Sequence, residues 1–316
     1  MFCQLLFVKM RGKRLQSESE EYVLLKERII FMYALTGASG QLGRLVLKHL
    51  LTQVPANQVI ATTRNPDTLA DIAAQGVIVR RADFSNPTTL PTAFAGATRL
   101  LIISTDVVGQ RVAGHKAAIA GAVAAGVKHI VYTSAPEADP NSSYPITAEH
   151  GQTELALEAS GITWTALRNS FYAEVLKGLT ELLLVDGQLL IPEGQGKHCW
   201  VLREDCARAA AGALAGRLTD TGPVDVTGPE ALTFADVAQR LSRVSGRTIP
   251  ARPLPDNEII AQVVAKDVPA GTAGFMVGMA SQLARAVSIT PTDTVERASG
   301  TTPSPIDVVL RGTVTA

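Results

Sequence analysis

Cysteine is scarce in this chain: Cys3, Cys199 and Cys206 are the three among 316 residues, too few and too scattered for a disulfide framework. A reducing compartment suits such a sequence, and a cytoplasmic location is expected. Neither sign of charge is in excess, with 29 Lys and Arg against 29 Asp and Glu. No long-range field therefore draws the protein to nucleic acid or to an anionic membrane, and a small molecule is the expected partner. No window reaches the ~18 consecutive apolar residues that a membrane-spanning helix requires. The opening "MFCQLLFVKM" has no small-residue cleavage site behind it, which argues against a secretory signal. His198, Cys199 and Cys206 lie close in sequence, but a zinc site wants four ligands at recognised spacings, so no metal is expected.

What is present is an alternation of short β-branched runs with longer helical patterns, beginning at Met32. The runs "YALT", "QVIATT", "VIVRRAD", "RLLIIS", "KHIVYTS" and "TWTALR" read as strands. Between them, segments such as "QLGRLVLKHLLTQV" and "GQRVAGHKAAIAGAVAAG" carry apolar residues at helical spacing and mostly stop at glycine. That order predicts an α/β fold built on a Rossmann-type, doubly wound parallel sheet. Residues 32–170 are assigned to this nucleotide-binding domain. Residues 171–316 are assigned to a smaller C-terminal α/β lobe interwoven with it, with a strand "QLLIP", a helix from Glu204 to Gly216, a strand "GPVDVTG" and a Thr- and Pro-rich, loosely ordered tail from about Thr290. Residues 1–31 read as an N-terminal extension, either a disordered tail or a translation-start artefact, or else an interaction helix over Glu20–Ile30.

Gly37, Gly40 and Gly43 in "YALTGASGQLG" follow the first strand at a spacing of three and open the first helix. In that context the first glycine permits the turn, the second lets main chain approach a pyrophosphate, and the third permits close helix packing. The free amides of the first helical turn, around Ser39–Leu42, then favour an anion. At the end of the second strand, "ATTRNPD" places Arg64 where an acidic residue would bind a ribose hydroxyl. An arginine there pairs with a 2′-phosphate, so the expected cofactor is NADPH, with NADH weaker. Two other readings stay open: Arg64 as a solvated side chain, and Asp67 folding back toward the ribose.

These motifs, with "EHGQTE" and "TALRNSFY", give the chain a resemblance from Met32 to about Gly246 to the atypical short-chain dehydrogenases of the NmrA-like group, in particular its bacterial NADPH:quinone oxidoreductase and triphenylmethane reductase branch. The resemblance implies a flavin-free enzyme that moves hydride from NADPH to a quinone-like acceptor bound between the sheet's carboxyl edge and the C-terminal lobe. It also implies cofactor contacts from Gly37, Ala38, Ser39, Gly40, Gln41 and Leu42, from Arg64, from Asp83 and Phe84 near the adenine, and from Ser104 and Thr105. Asn169 is implied at the nicotinamide amide. Asp83 has an equal reading as a turn former before "SNP". A possible homodimer rests on analogy alone.

The Tyr-x-x-x-Lys pair usual in short-chain dehydrogenases is absent: His150 stands where relatives carry the lysine, and Ile146 stands four residues earlier. Quinone reduction tolerates this, because the product anion is delocalised and needs positioned donors more than a strong acid. The nominated donors are Tyr172 and Asn169, with His150 opposite as a proton source titrating near neutrality. His150 as a surface residue and Tyr172 as core packing are the competing readings. A non-catalytic NmrA-type redox sensor, binding dinucleotide and signalling to a partner protein, is the alternative function.

Overall fold

The structure, a computed structural model, describes residues 31–311. Most of the expected N-terminal extension lies outside them, and the chain from Met32 onward is a compact unit of its own.

The strands are β1 (Tyr33–Leu35), β2 (Val59–Thr63), β3 (Ile78–Arg81), β4 (Arg99–Ile102), β5 (His129–Ser134), β6 (Thr163–Asn169), β7 (Leu184–Val185), β8 (Gln188–Pro192), β9 (Gly222–Val226) and β10 (Ala251–Leu254). Seven of them form one parallel sheet in the order β3-β2-β1-β4-β5-β6-β9. Its central strands β1, β2, β4 and β5 are covered on both faces, so no residue of β2 or β5 reaches solvent appreciably. The helices are α1 (Gln41–Leu50), α2 (Ala70–Ala73), α3 (Leu90–Phe94), α4 (Arg111–Ala124), α5 (Pro145–Ala159), α6 (Ala173–Leu183), α7 (Arg203–Leu214), α8 (Phe234–Ser245), α9 (Asp256–Val264), α10 (Ala270–Arg285), α11 (Thr294–Ser299) and α12 (Asp307–Leu310).

Side chains alternate across the sheet with period two. Tyr33 and Leu35 join the core under α1, α7 and α11, whereas Ala34, Ile60 and Leu100 join the core under α3, α4 and α5. The C-terminal lobe has its own core, in which α6, α8, α9, α10 and α12 enclose a small sheet of order β10-β8-β7. Its hairpin turns on Asp186 and Gly187, both at positive φ, as a two-residue turn of matching twist requires.

Helix α7 packs against α1, and β9 extends the main sheet beyond β6, so two elements from the second half of the chain complete the first. The Thr- and Pro-rich tail departs from the expected loose order. Val295, Ala298, Ile306 and Leu310 are buried, and Ala298 approaches α7 so closely that a β-carbon on Gly212 would lie 1.9 Å from its carbonyl oxygen. Apolar residues hidden among the threonines, with Asp205 accepting from Ser304 N at 2.7 Å, hold it down.

Candidate active site

The carboxyl ends of β1 to β6 bring together the segments that sequence marked. Ligands bind open α/β sheets where the strand order reverses, which here is the crevice between β1 and β4. The turn after β1 lines one side of it. Gly37 takes φ +62°, a conformation costly for a residue with a β-carbon, and its carbonyl accepts from Gly40 N at 3.0 Å. Gly43 has a different reason: a β-carbon there would sit 2.2 Å from Gly37 O and 2.8 Å from Ala38 Cα. The crowding is thus against the turn itself, where helix-to-sheet packing was expected. Gly40 has neither problem, since its backbone is extended and an added β-carbon meets only Gly37 O, at 3.3 Å.

Helix α1 begins at Gly40 with no side-chain cap and no acidic residue in its first turn, while Lys48 and His49 occupy its last turn. Its leading amides face the crevice with nothing of the protein's own to neutralise their dipole, as an anion site requires. Ser39 Oγ lies 2.9 Å from Thr63 Oγ1, tying the turn to the end of β2. The next residue, Arg64, is exposed and close enough to Asp83 to lower that carboxyl's pKa, after the stronger effect of the Ser85 hydroxyl and amide. Register pairs Thr63 with Arg81, so a second guanidinium flanks the same corner. Arg81 was not singled out from sequence, although the doubled arginine of "VRRAD" was a signal. Asp67 sits in a 3₁₀ turn over Pro66–Leu69, its amide donating to Asn65 Oδ1 at 3.2 Å. Asp83 realises its turn-forming reading, accepting from Ser85 N at 3.0 Å and Ser85 Oγ at 2.7 Å.

After β4, Ser104 N donates to Thr133 Oγ1 at 2.8 Å and Thr105 N to His115 Nε2 at 3.2 Å. After β6, Asn169 and Ser170 are buried, yet Asn169 Oδ1 and Ser170 Oγ meet no partner within the protein. Orphaned polar atoms cost free energy unless something arrives to pair with them, so they fit a bound polar group. Tyr172 is half-buried with Arg203 4.9 Å from its ring centroid. Burial pushes its phenol well above the ordinary range, against the opposing pull of Arg203 and Asn169, so the hydroxyl keeps its proton. Phe171 is 38% exposed, edge-on to His198 at 5.9 Å and tilted against Trp200 at 6.2 Å.

His150 is neither a surface residue nor a near-neutral acid, which corrects both expectations for it. It is enclosed, with Nδ1 2.7 Å from Tyr132 Oη and Nε2 3.3 Å from Arg111 Nη1. Burial, with Arg111 and His115 beside it, lowers its pKa to about 3. Arg111 only donates, so Nε2 accepts and the proton lies on Nδ1, directed at Tyr132. Thr105 N likewise only donates, so His115 carries its proton on Nδ1, where Thr153 Oγ1 accepts at 3.0 Å and in turn donates its hydroxyl hydrogen bond to Glu149 O at 2.8 Å. In this arrangement both imidazoles are neutral. His115 and Tyr132 escaped the sequence reading, although His115 shares a helical stripe with the apolar Ala118, Ile119 and Ala122, which marks a buried face.

Burial and Arg111 lower the pKa of His115 to about 4, and burial and Arg99 do the same for His129. In the unfolded chain these groups and His150 titrate near the ordinary ~6.5. The unfolded state therefore binds more protons between pH ~6.5 and ~4, so stability is complete above that window and falls as pH drops through it, by about 1.4 kcal/mol per unit per histidine at most. Calorimetry should show a melting temperature flat from pH 8 to 7 and dropping steeply from 6 to 4.5. A flat profile to pH 5 would show that these histidines are not held neutral.

Among the described residues no group of His, Cys, Asp and Glu could hold a metal ion, and no helix is long and apolar enough to cross a membrane. Glycine turn, uncapped helix, switch-point crevice and basic corner define a dinucleotide-binding α/β protein of the Rossmann class. Residues 37–215 match the NAD(P)H-binding family, and the chain belongs to that family, among NmrA-like relatives. It is 37% identical to quinone oxidoreductase 2 of Escherichia coli K12 over 245 residues, 78% of this chain and 85% of that one. Among solved structures it is similar to an Escherichia coli NADPH-dependent quinone oxidoreductase complexed with NADPH (TM-score 0.77, 33% identity, 88% and 98% of the two chains). The Citrobacter sp. triphenylmethane reductase complexed with NADP(H) is comparably similar (TM-score 0.78, 32% identity, 90% and 100%).

Proposed function

We propose that this protein is a cytoplasmic, NADPH-dependent, flavin-free reductase that transfers hydride to a quinone-like small molecule. The observation carrying the reading is the ligand-ready crevice: an uncapped helix start behind Gly37 and Gly40, with Arg64 and Arg81 at its basic corner. The main-chain amides of the Gly37–Leu42 turn other than those of Ala38 and Gly40, which bond Thr62 O and Gly37 O, would hold the diphosphate; Arg64 would pair with the 2′-phosphate, Asp83 would shape the turn beside the adenine with Phe84, and Ser104, Thr105 and Asn169 would hold the nicotinamide end. The bound dinucleotide supplies the hydride. Tyr172 then acts as a donor: its hydroxyl, kept protonated by burial, hydrogen-bonds the oxygen on which negative charge grows, with the amide of Asn169 beside it. A hydroquinone anion is weakly basic and takes its proton from water on release, so no group of the Tyr-x-x-x-Lys kind is needed. His150, neutral and enclosed, is reassigned from proton source to a supporting position behind this edge. A two-copy assembly belongs to the same reading.

Mixing the protein with NADPH and benzoquinone and following absorbance of the reduced nicotinamide tests it. Turnover well above the uncatalysed rate is expected, faster with NADPH than with NADH. Tight NADPH binding with no turnover across several quinones would overturn the reductase and favour the redox sensor.

A further inference from the structure

The segment joining β4 to α4, Ser104–Gln110, borders the crevice and carries two exposed apolar side chains at its tip, Val107 and Val108. A loop of this kind ordinarily moves, because few apolar contacts hold it. Here both ends are pinned from below by buried side chains of other elements. At the near end Thr105 N donates to Nε2 of His115, a residue of α4 that is fully buried beneath Phe84 and Tyr132. At the far end Gly109 N donates to Glu149 Oε1, from α5, at 2.7 Å. The other carboxylate oxygen of Glu149 lies 3.9 Å from Arg111 Nε, and neither atom has a hydrogen-bond partner within the protein.

From this geometry we infer that His115 and Glu149 are positioning residues: they clamp the two ends of Ser104–Gln110, and so fix where the loop meets the nicotinamide end of the cofactor and the acceptor. The clamp at Thr105 depends on a tautomer. His115 accepts from Thr105 because its proton is committed to Thr153, whose own proton is committed to the Glu149 carbonyl. Tyr132 and His150 close the same cluster, with Tyr132 Oη 3.3 Å from His115 Nδ1 and 2.7 Å from His150 Nδ1. One turn of α5 thereby serves both ends of the loop: its Glu149 side chain holds Gly109, and its Glu149 main chain ends the relay that orients His115. A purely structural cluster needs none of this directionality, since apolar packing fills the same space without leaving an acceptor aimed at a loop amide.

The consequence of the clamp for catalysis rests on the proposed reductase function, but the clamp itself is read without turnover. The experiment measures amide exchange at Thr105 and Gly109 in the cofactor-free protein, together with the NADPH dissociation constant. The variants are His115→Phe, which keeps a ring and removes the acceptor; His115→Gln, which restores an acceptor near the Nε2 position; Glu149→Met; and Glu149→Gln. His115→Phe should speed exchange at Thr105 by about tenfold, as expected for one lost hydrogen bond, and His115→Gln should return it to within about threefold of the parent. Glu149→Met should do the same at Gly109, with rescue by Glu149→Gln. NADPH affinity, and kcat with benzoquinone where turnover exists, should fall and recover in step with exchange. If either unrescued variant leaves its loop amide as protected as in the parent, or if the Gln variants fail to restore protection, the clamp is overturned. If exchange and NADPH affinity follow the expected order and no variant or parent reduces quinones, the clamp stands and the proposed reaction falls. Should His115→Phe fail to fold, the Glu149 pair decides, because that side chain lies at the margin of the core.

Discussion

Gly43→Ala should lower the melting temperature by about 5–10 °C and abolish measurable NADPH binding at micromolar cofactor. The added methyl group has nowhere to go: it would lie 2.2 Å from Gly37 O, 2.8 Å from Ala38 Cα and 2.9 Å from Gly37 C, all of them backbone. The turn cannot retreat, because Ala38 N bonds Thr62 O at 3.1 Å and Thr36 N bonds Leu101 O at 2.9 Å, anchoring it to the strands on both sides. The helix cannot retreat either without dragging Val46, Leu47 and Leu50 from a core shared with α7. Overpacking of this kind costs about 2–3 kcal/mol, and each kcal/mol shifts the melting point of a protein this size by about 2–4 °C. Gly40→Ala is the control. Its backbone is extended and the nearest obstacle is one oxygen at 3.3 Å, so the fold should melt within about 3 °C of the parent. Cofactor binding should nonetheless weaken by about 30-fold or more, because the new β-carbon stands where main chain must touch the diphosphate. Thermal unfolding and quenching titration of reduced-nicotinamide fluorescence check both. If Gly40→Ala binds NADPH as the parent does, the diphosphate does not lie on that turn.

The contrast between the two glycines shows what sequence conveys and what it withholds. Spacing and context announced all three glycines, but the reason for Gly43 emerged only from the distance to Gly37 O. Strands β1, β2, β4 and β5 were legible for a physical cause: covered on both faces, they read as short apolar runs, and the helices between the strands mostly stop at glycine. The strand "GPVDVTG" was legible as part of a lobe woven back onto the main sheet, but its place beside β6 was not, because its half-exposed pattern says nothing about its neighbour. Helices α9 and α10 passed unassigned, since Pro253–Gly278 holds small residues in no clear amphipathic order. In the candidate site, sequence marked residues adjacent to strand ends and not those lying behind them. His115, Tyr132 and Glu149 belong to α4, β5 and α5, and only folding makes them neighbours. His150 was found for its position in a motif and misjudged in its chemistry, because protonation depends on what surrounds it in space: here Tyr132, Arg111 and His115.

Arg64→Asp should weaken NADPH about 30- to 300-fold while changing NADH by less than about fivefold. The argument starts from the end of β2, where Ser39 and Thr63 lock the turn to the strand and leave Arg64 as the first side chain free to reach outward. A charge-assisted contact to a phosphate contributes about 1.5–3 kcal/mol, and the introduced carboxylate adds a repulsion that water and salt screen at so exposed a place. Arg81 limits the loss, because its register with Thr63 leaves a second cation at the same corner when Arg64 is gone. For that reason Arg64→Asp combined with Arg81→Ala should lose more than the sum of the separate losses, the two cations sharing one partner. The 2′-phosphate is what distinguishes the cofactors, so NADH, which lacks it, should be nearly indifferent. Raising salt from 50 to 300 mM should weaken NADPH binding to the parent more than to the variant, since the variant has already lost the screened interaction. Equal losses for NADPH and NADH would place Arg64 away from the phosphate and leave the cofactor's identity to another residue at the basic corner.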